Sequence, residues 1–121
     1  MTTNPNTVWK KLCSKADLIP FSGVAAWHEG QQVALFYLPG NGNEVFAIGN
    51  NDPFSGANVL ARGIVGDLKG ELVVASPLYK QHFSLTSGIC QEDAEQQVPV
   101  WPVRLQGCLL YTSPSPRDLS T

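Results

Sequence analysis

Twice in this chain a short apolar strand runs into a tight loop that carries proline, and this repeated arrangement limits the possible folds most. The first instance leaves Val45-Phe46-Ala47-Ile48 and enters Asn51-Asp52-Pro53-Phe54-Ser55-Gly56-Ala57. The second leaves Leu72-Val73-Val74-Ala75 and turns at Ser76-Pro77. It resumes as Gln81-His82-Phe83-Ser84-Leu85 and stops at Thr86-Ser87-Gly88. Proline fixes its own φ and cannot donate to a sheet ladder, so each loop departs from its sheet there.

The remaining segments repeat the same scale of structure. Val8-Trp9-Lys10-Lys11-Leu12-Cys13 reads as a first strand. Ser14 to Pro20 is too short, and too soon broken by proline, for a helix, so a turn is expected. Gly23–His28 and Gln32–Leu38 form a hairpin signal around Glu29-Gly30-Gln31, and a Pro39-Gly40-Asn41-Gly42-Asn43 loop follows. Ile64-Val65 is a short strand, and Lys69-Gly70 turns into Glu71 to Ala75. Val98 to Leu105 alternates, and its prolines confine it to an edge. Short strands with frequent turns point to a sandwich or barrel. With 121 residues the chain suffices for one domain.

At the two loops the chain resembles a Rieske domain, in which Cys-x-His in one loop and Cys-x-x-His in the other hold a two-iron, two-sulfur cluster. That pattern places Asp52 and Phe54 where the first Cys and His belong, and Ser76 and Tyr79 where the second pair belongs. Pro53, Gly56, Pro77 and Gly88 match the scaffold, while all four ligands are replaced. From Asn50-Asn51-Asp52-Pro53-Phe54, through Leu60-Ala61-Arg62-Gly63, to Gly70–Leu78, the chain is similar to the small subunit of assimilatory NADH-dependent nitrite reductase. The similarity covers about residues 7–107. Many bacterial members of that family keep a Rieske-like fold without the cluster.

The resemblance implies one all-β Rieske-like domain of short antiparallel strands with two apical loops. It also implies a non-catalytic accessory role in a cytoplasmic enzyme that reduces nitrite to ammonium in nitrate assimilation. The expected partner is the large catalytic subunit, which in that family carries flavin, siroheme and an iron–sulfur cluster. This chain would hold no cofactor. Its contribution would be docking, stabilisation of the large subunit or shaping of the electron path. Two rival readings are a cluster-binding ferredoxin-type electron carrier and a free-standing β binding module.

The residues themselves argue against a cluster. Iron–sulfur centres take soft thiolates, with imidazole in the Rieske case. Asp52 offers a hard carboxylate, Ser76 a hydroxyl, Tyr79 a phenol and Phe54 no donor. Cys13, Cys90 and Cys108 lie far along the chain from both loops, and His28 and His82 are isolated. Phe54 and Tyr79 are expected to fill the cluster's volume as an apolar plug, or else to cap an exposed tip. Arg62 and Lys80 are candidates for a basic rim, so Phe54, Arg62, Tyr79 and Lys80 make the candidate docking set. The carboxylates of Gln91–Gln97 read as a solvated connection rather than a cation site. Ser76 has no glycine elbow, Cys13 and Cys90 read as small buried hydrophobes, and His82 reads as an ordinary strand residue.

Charge and composition narrow the classes further. A net charge of −2 lacks the basic footprint of a nucleic-acid binder. No apolar run approaches the ~20 residues that cross a membrane. The polar lead has no signal-peptide layout, and three unpatterned cysteines fit reduced thiols in the cytoplasm. The stretch from Cys108 to Asp118 matches a translated sequencing adapter, the alternative being a genuine Pro/Ser-rich disordered tail. The expected division is a flexible lead over 1–6, a domain over 7–107 and a non-native tail over 108–121.

Overall fold

The computed structural model describes residues 9–40 and 44–112. The polar lead over 1–6, the Asn41–Asn43 stretch of its loop and residues 113–121 of the tail lie outside the described residues. Ten strands run in chain order: β1 (Lys10–Ser14), β2 (Ser22–His28), β3 (Gln31–Tyr37), β4 (Val45–Gly49), β5 (Ile64–Leu68), β6 (Glu71–Ala75), β7 (His82–Ser84), β8 (Val100–Trp101), β9 (Val103–Gln106) and β10 (Leu109–Thr112). They pair antiparallel in three sheets, ordered β1-β10-β9, β2-β3-β4-β8 and β5-β6-β7. The fold is all-β, as the loops and turn spacing imply.

The four-stranded sheet is covered on both faces, which explains its sequence. A strand buried on one face alternates, whereas one buried on two faces reads as a continuous apolar run. Val33 to Phe36 and Val45 to Ile48 are all buried. Ala34, Phe36, Phe46 and Ile48 pack with Val74, Phe83 and Leu85 of the β5-β6-β7 side. Val33, Leu35, Val45 and Ala47 pack with Leu18, Trp101 and Leu110 on the other side. Each fully buried Phe or Leu contributes about 1.5–3 kcal/mol by leaving water.

The structure sharpens several local readings and corrects that of Val98 to Leu105. The first hairpin turns on two residues, Glu29 and Gly30, both with positive φ, and Gln31 already belongs to β3. Lys69-Gly70 turns in the same way; such two-residue turns match the right-handed twist of their strands. Ser14 to Pro20 contains a single 3-10 turn, Lys15–Asp17, with the Ser14 N–H donating to Asp17 Oδ2 at 3.0 Å. Val98 to Leu105 is not one edge strand. Pro102 splits it into β8 and β9, which edge two different sheets. Leu109–Thr112, within the stretch expected to be non-native, forms the middle strand of its sheet and buries Leu110.

Gly88 fixes the end of the second loop region. Its φ is +79°, and a Cβ there would stand 2.1 Å from the Val98 carbonyl oxygen. Only glycine fits so close to another backbone in that conformation.

Candidate functional site: the paired apical loops

The first loop is tied together by its own polar groups. The Asp52 N–H donates to Ala57 O at 2.8 Å, and the Gly56 N–H donates to Asp52 O at 2.7 Å. Asn51 Nδ2 donates to Gly56 O at 2.9 Å. Before the loop, Asn50 Oδ1 accepts from the Ala61 N–H at 2.7 Å, which anchors the 3-10 turn Leu60–Arg62. Gly63 then packs against Ala75, the residue before Ser76. Arg62 therefore stands beside the bases of both loops, exposed.

The second loop closes on itself. Ser76 N–H donates to Gln81 O at 2.9 Å, and Lys80 N–H donates to Ser76 O at 3.0 Å. This closure turns Pro77, Leu78, Tyr79 and Lys80 outward, and Tyr79 is 58% exposed. The plug is therefore only half right. Phe54 is half-buried, packs on the first core and tilts against Phe83 at 6.2 Å between centroids. Tyr79 takes no part in it, because the short loop leaves its ring nowhere to fold back.

What joins the loops is a polar clasp. Ser76 Oγ donates to Asp52 Oδ2 at 2.6 Å, and both residues are buried, at 1% and 0% exposure. The other carboxylate oxygen, Oδ1, accepts from the Phe54 N–H at 2.9 Å. The two residues that replace the cysteines thus bind each other across 24 positions of sequence. A buried carboxylate requires such donors, since a lone charge away from water is very costly. Residue type alone did not reveal the pairing. An acid and a hydroxyl at equivalent places in two facing loops were the available signal.

The fold family implies a cluster, and these residues do not fit one. Asp52 has an oxygen committed to each loop, the Ser76 hydroxyl is committed to it as a hydrogen-bond donor, Phe54 lacks a donor, and Tyr79 faces solvent. Among the described residues no group of three or more His, Cys, Asp or Glu is placed to hold a metal.

His82 and Glu92 form the other polar pair near the second loop. His82 is the first residue of β7, and both its backbone N–H (2.8 Å) and Nδ1 (2.6 Å) meet the Glu92 carboxylate. Burial pushes that carboxyl up, but the His82 hydrogen bonds outweigh it and hold Glu92 below the usual range. The acidic connection thus contributes one structural carboxylate. Burial raises the Cys90 thiol, and burial with Asp17 raises Cys13, so neither is an activated thiolate. Cys90 is buried, Cys13 half-buried and Cys108 exposed, none in a disulfide; Cys90 Sγ donates to Glu92 Oε1 at 3.6 Å.

Residues 8–111 match the family of the Rieske-like [2Fe-2S] domain. The Nitrite reductase (NADH) small subunit of Salmonella typhimurium is 45% identical over 98 residues, spanning 81% of this chain and 90% of that protein. The solution structure of the Escherichia coli protein NirD superposes with a TM-score of 0.77 at 40% identity, covering 87% of this chain and 94% of that one. The Nitrite reductase [NAD(P)H] large subunit of Klebsiella oxytoca is 39% identical over 102 residues, which span 84% of this chain but 10% of that protein. No helix among the described residues is long and apolar enough to cross a membrane. With its cluster positions replaced by a buried acid–hydroxyl clasp, and its match to the small subunits nearly full-length, the chain belongs to the Rieske-like small-subunit family of NADH-dependent nitrite reductase.

Proposed function

We propose that this chain is the non-redox accessory subunit of a cytoplasmic nitrite reductase. It docks on a large catalytic chain that carries flavin, siroheme and an iron–sulfur cluster and reduces nitrite to ammonium with NADH. The observation that carries the partner is the Klebsiella protein, where a stretch like this domain forms part of a protein called the large subunit. In that protein the stretch belongs to the large subunit's own polypeptide; here the domain would meet the large chain by association. The domain on this reading includes β10, which closes its sheet between β1 and β9; the foreign tail begins after that strand.

The apex is the docking surface of this reading. Leu78, Tyr79 and Lys80 project from the second loop, Arg62 is exposed near the loop bases, and Phe54 packs on the core beneath the first loop. An exposed apolar tip rimmed by polar groups suits a protein contact. The Asp52–Ser76 clasp takes over the mechanical task of a cluster, holding the loops at fixed separation while carrying no electrons. Co-expression with the large chain tests this. The two are expected to co-purify, and Tyr79→Ala with Lys80→Glu should weaken the complex at least tenfold without unfolding the domain. Full-strength binding by that double variant removes the apex from the interface.

A further inference from the structure

The three sheets have six edge strands among the described residues, and five of them are blunted against pairing. Natural proteins protect an edge with charge, proline, bulges or brevity. β1 carries Lys10 and Lys11 and breaks register between Lys11 and Cys13. β9 carries Arg104, β5 carries Asp67, and β8 is two residues between Pro99 and Pro102. β7 has three residues, and its Phe83 is bridged to Cys90. β2 is different. It runs seven residues, Ser22-Gly23-Val24-Ala25-Ala26-Trp27-His28, with no Lys, Arg, Asp, Glu or Pro.

The hydrogen-bond phase shows which groups of β2 are free. Asn50 N–H donates to Gln32 O and Leu38 N–H to Glu44 O, so even-numbered residues of β3 face β4. Phe21 N–H donates to Tyr37 O, so odd-numbered ones face β2. With Val24 opposite Leu35 and Ala26 opposite Val33, those pairs carry the β2–β3 ladder. The N–H and C=O groups of Gly23, Ala25 and Trp27 therefore project from the sheet edge. They meet no hydrogen-bond partner among the described residues.

A hollow flanks this edge on each face. One, of about 410 Å³, lies between Val24, Leu35, Leu12 and Cys13, with Asp17 at its rim. The other, of about 400 Å³, lies between Ala25, Ala61, Asn58 and Arg62. Trp27, 69% exposed, stands at the far end of the strand. An added strand would send alternate side chains to opposite faces. Here each face offers a place for them.

We infer that the β2 edge from Gly23 to Trp27 receives an extended segment of the large catalytic chain as a fifth strand. That segment places an apolar side chain in the Leu12–Leu35 hollow and an acidic one against Arg62, two residues types on alternate positions. The inference rests on the accessory-subunit reading. Arg62 makes no ion pair among the described residues and joins this edge to the apex, so one partner surface reaches both. Charge selects the occupant. A second copy paired antiparallel through β2 would keep like faces together, setting Arg62 against Arg62 and Asp17 against Asp17. A partner that brings acid to the Arg62 face meets no such repulsion.

The test uses the purified large chain and full-length small subunit. Ala25→Pro removes an N–H that the free domain leaves unbonded, and Ala25→Lys adds the charge that other edges carry. Both are expected to weaken binding at least tenfold, and Ala25→Lys should leave the melting temperature of the free domain unchanged. In the wild-type complex the amides of Gly23, Ala25 and Trp27 should slow in hydrogen exchange. Affinity of Ala25→Lys within twofold of wild type, with those amides still fast, overturns the inference while the accessory-subunit reading stands. A free wild-type dimer that Ala25→Lys makes monomeric, with affinity for the large chain unchanged, gives the edge to a second copy. A wild-type small subunit with no affinity for the large chain defeats both readings.

Discussion

Replacing Ser76 with alanine isolates the clasp. The hydroxyl donates to Asp52 Oδ2 at 2.6 Å, and neither residue reaches solvent. A hydrogen bond to a charged group contributes about 1.5–3 kcal/mol, and removing the donor strands the buried acceptor. Phe54 N–H still satisfies Oδ1, so half the carboxylate keeps its partner. The expected loss is about 2–3 kcal/mol. In a domain of this size that lowers the melting temperature by roughly 10 °C. Asp52→Asn should cost only about 1 kcal/mol, because the amide keeps an oxygen for Phe54 and can donate to Ser76 Oγ with the roles reversed. Combining Ser76→Ala with Asp52→Ala should be non-additive by more than about 1 kcal/mol. Chemical denaturation of the wild type, Ser76→Ala, Asp52→Asn, Asp52→Ala and the double variant measures all of this. A Ser76→Ala loss below about 0.5 kcal/mol, typical of an exposed site, or additive single changes, would refute the clasp.

Other consequences separate core from surface. Phe54→Ala should cost about 1–2 kcal/mol, less than a fully buried ring, whereas Tyr79→Ala should stay within about 0.5 kcal/mol; equal losses in denaturant would contradict their different placements. Glu92 is held below its usual range in the folded chain, so the His82–Glu92 pair stabilises above the unfolded carboxyl's pKa and fades as pH falls through the folded value. The gap in melting temperature between wild type and Glu92→Gln should thus be widest near neutrality and close in acid; a gap that grows on acidification reverses the sign of the argument. Cutting the chain after Gly107 removes β10 from between β1 and β9 and exposes the second core. That fragment should lose its sharp thermal transition unless a replacement strand is supplied, and an unchanged melt would show β10 to be dispensable.

Much of the scaffold could be read from local patterns, because the physics there is local. The unbroken apolar runs of β3 and β4 report burial on two faces, and the proline loops mark where strands end. Pairings between distant polar groups were not readable in the same way. Asp52 and Ser76 look like two lost ligands until the loops are closed against each other. Tyr79 could be placed as a plug because nothing in its neighbours reveals that Ser76 and Gln81 pinch the loop shut beneath it. Likewise Glu92 looks like one of several solvated acids until β7 brings His82 to it. The free edge of β2 is a matter of topology, since its composition acquires meaning only once β2 is known to lie at a sheet's border.

On the proposed function, this chain supports nitrite reduction by contact, without redox chemistry of its own. The most direct measurement is NADH-dependent nitrite loss by the large chain titrated with this protein, with iron content determined on the small subunit beforehand. Activity is expected to rise to a plateau at a fixed stoichiometry and to depend on a small subunit free of iron. Full activity of the large chain alone, or activity that tracks iron bound to this chain, would contradict the proposal.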